Sequence, residues 1–131
     1  YCILGGDKTK FWANILRQSL PLVEHIHTCT IQEASIVKYM ANSYLATKVT
    51  FFNQLYDFCE KYDLKWEQVR EVVTDDPRID RDHTEVTQQR GFGGHCLPKD
   101  TKALVKTAKK LKVSLSLIEQ AIEYNTKTRK E

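Results

Sequence analysis

The chain has little that would bend, staple or anchor it. Its five glycines fall in two places, Gly5-Gly6 and the stretch holding Gly91, Gly93 and Gly94, and it has only three prolines. Residues 32–62 contain neither, so nothing there interrupts a helix. The four cysteines, Cys2, Cys29, Cys59 and Cys96, are far apart and form no CxxC pair. A disulfide framework is therefore not expected. With no signal-peptide pattern, they read as reduced thiols of a cytoplasmic protein. No apolar run approaches the roughly 20 residues that a membrane helix needs. Neither sign of charge dominates: 20 basic against 17 acidic residues give +3, too mild an excess to call for nucleic acid. The only methionine is Met40, and an apolar YCILGG opens the chain. The sequence is therefore expected to be a piece of something longer.

What is present suits one compact domain of mainly α class, with 41% hydrophobic residues over 131 positions. Residues 1–4 read as a short strand closed by Gly5-Gly6. Asp7 is a plausible cap for a helix with Phe11, Trp12, Ile15 and Leu16 on one side, ended by Pro21. Residues 22–31 alternate like a strand, with Val23, His25, His27 and Cys29 on one side. Residues 32–62 predict one long amphipathic helix, with Val37, Met40, Ala41, Tyr44, Leu45, Phe51, Phe52, Leu55, Phe58 and Cys59 in its apolar steps. Its length suggests the spine of the domain and an oligomer interface. Asp63 can cap the next helix, with Trp66, Val69, Val72 and Val73 inward and Asp75-Asp76-Pro77 stopping it. Residues 78–94 form a long polar loop. A helix with Leu104, Val105, Ala108 and Leu111 inward follows. A last one opens on a Ser116/Glu119 capping box and runs to Asn125. The closing TKTRKE reads as a solvated end or a helix cut short.

One stretch, GFGGHCLPKD at residues 91–100, concentrates chemistry. Pro98 suits the first turn of a helix and Asp100 its positive end. Cys96 then sits at the helix start, where unpaired N–H groups favour an anionic thiolate, the nucleophilic form. Gly91, Gly93 and Gly94 let a ligand lie against the backbone. Asp100, four residues after Cys96, is expected to point back from the first turn and to orient or deprotonate a water. The residues alone leave a plainer reading open, a small buried cysteine in a turn. The stretch matches neither a phosphate-binding loop nor a dinucleotide fingerprint. A second feature favours chemistry: Lys38, Asn42 and Asn53 recur near one face of the long helix, a stripe that suits an anionic or polar ligand.

These residues resemble the UDP-glucose/GDP-mannose dehydrogenase family. GFGGHCLPKD resembles its active-site cysteine loop, and EASIVKYMANSYLATKVTFFNQL its central-domain helix with the Lys-x-x-x-Asn pair. YCILGGD, DDPRI and SLIEQAIEYN resemble further family segments in the same order. The resemblance implies a helical central and dimerisation domain over residues 7–131, with residues 1–6 left from a preceding α/β NAD-binding domain. It implies an NAD-dependent oxidoreductase, of the kind used in polysaccharide biosynthesis, that oxidises a sugar nucleotide twice. UDP-glucose is expected as the substrate, with GDP-mannose or a UDP-N-acetylhexosamine as alternatives. Cys96 would form a thiohemiacetal and then a thioester. Lys38 and Asn42 would stabilise negative oxygen, and Asp100 would join the water and proton network. Gly91, Phe92, Gly93 and Gly94 would meet the sugar, and Lys99 the cofactor. Arg78 would reach the neighbouring subunit's sugar site in a homodimer built on the long helix. The chain alone is expected to be inactive.

The sequence departs from the family pattern in three places. Asp80 stands where a glycine usually follows DPRI, residues 81–90 lack the common Pro/Gly-rich turn, and His95 replaces a small residue. A non-catalytic helical dimerisation module is the alternative from another class. Nucleic-acid binding is disfavoured, because Lys99, Lys102, Lys106, Lys109, Lys110 and Lys112 line a helix without interleaved aromatics. His25, His27 and Cys29 make a poor metal set, three ligands two apart on one strand with no obvious fourth.

Overall fold

The structure is a computed structural model that describes residues 1–20 and 22–130. It forms two compact units, Tyr1–Met40 and Ala41–Glu131, with helix α2 passing through both. The division falls within that helix.

The first unit is a small β-α-β arrangement. Strand β1 (Cys2–Gly5) pairs in parallel with β2 (Ile26–Cys29), and α1 (Thr9–Ser19) makes the crossover. A parallel pair requires such a connection. Gly5 is needed here, because a Cβ would come within 2.8 Å of Ala34 Cβ and 2.9 Å of Thr30 O. One expectation for α1 is corrected. Lys8, not Asp7, holds the cap position, and no side chain caps the helix. Phe11 and Trp12 are more than half exposed, and Ala13 is the residue buried. Pro21, expected to end α1, lies outside the described residues.

Helix α2 (Ile31–Lys61) is continuous, as the absence of breakers predicts. Its entry is a capping box that composition alone does not suggest. Glu33 Oε2 accepts from Thr30 N and Oγ1, both at 2.8 Å, while Thr30 Oγ1 accepts from Glu33 N at 3.2 Å. The backbone N–H of Thr30, and then its hydroxyl, hold the Glu33 carboxyl below the usual range. At the exit, Asp63 adopts φ 56° and Leu64 N donates to Cys59 O at 2.9 Å. That is a left-handed helix stop. Asp63 therefore ends α2 instead of capping α3 (Trp66–Thr74), which Lys65 precedes.

The second unit is built against α2. One cluster packs Ala46, Val49 and Phe92, flanked by Leu97 and Ile122. Another packs Phe52, Cys59 and Trp66, flanked by Tyr56, Ile79 and Val86. The expected apolar stripe of α2 is only partly inward. Phe52 and Cys59 of that stripe are buried, with Ser43, Ala46, Val49, Thr50 and Asn53 beside them, whereas Met40, Tyr44, Phe51 and Phe58 are more than half exposed. Val69, Val72 and Val73 of α3 are also exposed, and Trp66 and Thr74 are the residues it buries.

Residues 75–95 contain no regular element. Helix α4 (Cys96–Lys110) follows, with Pro98 in its first turn. It buries Val105 and Ala108 but leaves Leu111 70% exposed. Helix α5 (Ser116–Thr128) opens on Leu115 with no side-chain cap. The expected Ser116/Glu119 box does not form, and Glu119 instead pairs with Lys109 of α4 at 3.1 Å. Nor is the end of the chain merely solvated, since Arg129 and Lys130 bond back to the loop before α4. No helix among the described residues is long and apolar enough to cross a membrane.

Candidate active site

Cys96 is the first residue of α4 and its side chain is exposed. This removes the plainer reading of a buried structural thiol. Cys59 is the buried cysteine and packs in the second cluster. His95 precedes Cys96 with helical backbone angles, and no side chain caps α4.

Asp100 lies in the second turn of α4, not the first, and is fully buried. Asn42 Nδ2 donates to its Oδ2 at 2.6 Å, and the Lys99 ammonium bonds its Oδ1. A buried carboxylate needs such partners, because desolvating an unpaired charge costs several kcal/mol (roughly, for one ion). Lys99 remains half exposed while making this bond. Asn42, Lys99 and Asp100 thus come together around one carboxylate. Lys38 lies one turn earlier on α2, in the first unit.

Asn53 has a different role from the ligand contact its spacing suggested. It is 1% exposed and all its polar atoms are used within the fold. Its Nδ2 donates to Val49 O at 2.9 Å, and its Oδ1 accepts from Arg90 Nε at 3.0 Å and Gly91 N at 2.9 Å. Arg90 also donates to Asp57 Oδ1 at 2.6 Å and lies 4.9 Å from the Tyr56 ring centroid. Burial opposes the Arg90 charge, but the hydrogen bond and charge of Asp57, with Tyr124 beside it, outweigh that and raise its pKa.

The glycine loop divides into a buried part and an open part. Phe92 is 3% exposed in the core, so its ring anchors the loop and is not free to meet a sugar. Burying such a ring contributes about 2–3 kcal/mol. Gly91 adopts φ 55°, and a Cβ there would lie 2.1 Å from Asn125 Oδ1. At Gly93 a Cβ would run into the Arg129 guanidinium, 2.1 Å away. Gly94 adopts φ 74° and has nothing within 4 Å of a Cβ. Of the four residues expected to meet substrate, Gly94 has the openest face. Arg78 lies on the surface, its side chain 86% exposed, where Asp76 binds it through Nε and Nη2. Those side-chain bonds, and then the Arg78 N–H, hold the Asp76 carboxyl below its usual range.

Asn125, Arg90, Arg129 and Asp57 were not singled out from the sequence. A side chain that serves a backbone 33 positions away leaves no local pattern. Among the described residues, no three His, Cys, Asp or Glu side chains group as metal ligands.

The domain is mainly helical and exposes Cys96 at the start of α4, the helix whose buried Asp100 is bonded by Asn42 of α2 and by the half-exposed Lys99. Residues 32–127 match the model of the UDP-glucose/GDP-mannose dehydrogenase family, central domain. The chain is 35% identical over 127 residues to the UDP-glucose 6-dehydrogenase TuaD of Bacillus subtilis (strain 168), covering 97% of this chain and 27% of that protein. It is 36% identical over 127 residues to a UDP-glucose 6-dehydrogenase of Campylobacter jejuni, covering 94% of this chain and 31% of that protein. Among solved structures, a UDP-glucose dehydrogenase from the hyperthermophilic archaeon Pyrobaculum islandicum superposes with a TM-score of 0.80 at 28% identity, over 95% of this chain and 28% of that one. The chain belongs to the UDP-glucose/GDP-mannose dehydrogenase family, as a central domain. It spans less than a third of the length of these curated relatives.

Proposed function

We propose that this chain is the central catalytic and dimerisation domain of an NAD-dependent, cytoplasmic UDP-glucose 6-dehydrogenase that makes UDP-glucuronate in two oxidations. The observation that carries the reading is the exposed Cys96 at the opening of α4, the helix whose Asp100 binds Asn42.

In this reading the Cys96 sulfur adds to the aldehyde carbon of the half-oxidised sugar. A C–S bond forms, the carbonyl oxygen takes a proton, and a thiohemiacetal results. The second oxidation leaves a thioester. Water adds to its carbon, the C–S bond breaks, the carboxylate departs and the thiol is restored. Asn42 spends one N–H on Asp100, which leaves a second N–H and its carbonyl oxygen for the substrate oxygen or the attacking water. Lys38, the cation of the same Lys-x-x-x-Asn pair, is proposed to stabilise negative oxygen alongside the neutral Asn42 amide. Asp100, held by Lys99 and Asn42, keeps that amide in place and belongs to the same proton network. Gly94 leaves room for the sugar.

NAD accepts a hydride in each oxidation when it is bound. Lys99 fits a contact to it, with an ammonium half exposed beside Asp100. No glycine-rich phosphate cradle accompanies that lysine among the described residues.

The dimer part rests on the exposed apolar face of the second unit. Tyr44, Phe51 and Leu55 of α2 border a groove of about 510 Å³ with Val69 and Val73 of α3. Arg78, also on that rim, is held by Asp76 at the surface, where it could serve a neighbouring subunit's sugar site. The same face supports the alternative, a dimerisation module without catalysis. GDP-mannose and a UDP-N-acetylhexosamine are the alternative substrates.

The test uses the protein that carries this chain, beside its Cys96→Ser form, and counts NADH formed per UDP-glucose consumed. Two NADH per sugar, lost with Cys96→Ser, is the expected result. The isolated 131-residue chain should form none. Absence of NADH from every sugar nucleotide in the whole protein would leave the dimerisation module.

A further inference from the structure

The first turn of α4 carries Cys96, yet no side chain caps it. An uncapped first turn frays, because its leading N–H groups lack partners. Two glycines precede it, and Gly94, with φ 74° and open surroundings, adds no packing. Something further upstream must hold the path of the chain into Cys96.

That hold is visible at Phe92. Asn125 of α5 grips both backbone polar groups of this residue. Its Oδ1 accepts from Phe92 N at 2.7 Å, and its Nδ2 donates to Phe92 O at 2.9 Å. This mimics one rung of a β-ladder, made by a side chain. From the other side, Asn53 accepts the Gly91 N–H. Arg129, one turn beyond Asn125, donates to Arg90 O at 3.1 Å and covers the face of Gly93. Two amides thus clamp adjacent residues of the loop just ahead of the glycine pair.

Building on the functional reading above, we infer that Asn125 is a positioning residue for Cys96: its paired hydrogen bonds to Phe92 stand in for the missing cap of α4 and fix the entry of the cysteine turn. Asn125 touches no reacting atom in this scheme. Its contribution runs through the Phe92 backbone to the orientation of Gly94, His95 and Cys96.

Asn125→Asp tests this with the smallest change of shape. The carboxylate still accepts from Phe92 N but cannot donate to Phe92 O, so one jaw opens. In the whole protein, kcat with UDP-glucose should fall roughly tenfold, the effect of about one lost buried hydrogen bond. KM should stay within about twofold, because binding groups are untouched. Amide exchange in the peptide spanning residues 90–98 should quicken by a similar factor, while α2 and α3 exchange as before. Both ratios to wild type should return toward one as pH falls, since the protonated carboxyl regains a donor. A folding defect alone would lower the apparent kcat through an inactive fraction, but it would not quicken exchange at residues 90–98 alone or recover as pH falls. Should Asn125→Asp fail to fold, Arg129→Met removes the milder grip on Arg90 O and should move the same readouts less. A folded Asn125→Asp protein with wild-type kcat overturns the inference, whether or not exchange quickens. A wild-type protein that forms no NADH sinks the functional reading instead, and exchange at residues 90–98 then decides whether Asn125 holds the cysteine turn.

Discussion

Replacing Asn53 by leucine should be among the most damaging single changes to the second unit, although leucine fits the apolar surroundings better. Asn53 is 1% exposed, and its carbonyl oxygen serves both Gly91 N and Arg90 Nε. Leucine branches at the same carbon and is the larger side chain, so no cavity opens and the helix ladder around Val49 survives. What remains is one orphaned backbone N–H at Gly91, costing about 1–3 kcal/mol, and one lost bond to a charged guanidinium, costing about 1.5–3 kcal/mol. Arg90 keeps Asp57 at 2.6 Å and Asn53 O at 3.3 Å, so the lower half of its range applies. The buried leucine returns about 1.5–2 kcal/mol. The net is a loss of about 2 kcal/mol.

Urea unfolding of the chain measures this directly. With a slope of about 1.5 kcal/mol per molar, the midpoint should drop by about 1.3 M while the slope stays fixed. Asn53→Asp is the control. It keeps an acceptor for Gly91 N and strengthens the partner of Arg90, losing only the donation to Val49 O, so it should cost less than Asn53→Leu. A leucine variant within about 0.3 M of wild type would refute the role given to Asn53. So would equal losses from the two variants, since only one of them lacks the acceptor.

Gly91→Ala combines a φ of 55° with a Cβ 2.1 Å from Asn125 Oδ1, whereas Gly94→Ala carries φ 74° into open space. The first should cost about 3 kcal/mol or more and the second about 1–2 kcal/mol. Equal melting losses would mean that Asn125 does not lie against Gly91. Asp80 holds φ 63°, so Asp80→Gly should raise stability by about 0.5 kcal/mol once glycine's extra unfolded entropy is set against the relief. A fall would show that the 3.3 Å bond from Asp82 N to Asp80 Oδ1 outweighs the strain. Glu33 has a depressed carboxyl pKa in the Thr30 capping box. Its contribution is complete above the usual glutamate range and is lost as pH falls through the lower folded value. Glu33→Gln should therefore flatten the acid limb of helix stability measured by circular dichroism, and an unchanged limb would contradict the box.

The helix α2 was legible because nothing in it breaks a helix. Which of its faces would be buried was not. Two apolar rows run along it, and periodicity reports a row without naming its partner. Tyr44, Phe51 and Phe58 look like core residues and stay exposed, while Ser43, Thr50 and Asn53 are buried. Thr50 and Asn53 are tolerated inside because each has partners, Thr50 on Ala46 O at 2.9 Å and Asn53 on Val49 O, Arg90 and Gly91, whereas the Ser43 hydroxyl has none among the described residues. The cysteine turn was legible from ten consecutive residues. Its support was not, since Asn53, Asp57 and Asn125 reach it across 33 to 38 positions.

The hidden support also explains how the loop keeps an awkward shape. Asp80, His83 and Arg90 all adopt positive φ without being glycine. At roughly 1–2 kcal/mol each, three such residues would cost about 3–6 kcal/mol. The aspartate at position 80 lies low in that range because its short polar side chain tolerates the conformation. Against this stand bonds from one helix, all reaching the same segment. The Lys48 ammonium bonds Ile79 O at 2.6 Å and Asp80 O at 3.2 Å, Asn53 accepts from Arg90 and Gly91, and Asp57 accepts from Arg90. Five such contacts, several charge-assisted, are worth about 1–2 kcal/mol each, enough to hold the strained path. Positions 53 and 57, four apart, share a face of α2, and the long Lys48 side chain reaches the loop from another side of the helix. The helix therefore pins the loop at two stretches, 79–80 and 90–91, and the loop residues themselves need no turn-forming sequence. That is why residues 81–90 can lack the Pro/Gly-rich turn expected before GFGG and still deliver Cys96 to the start of α4.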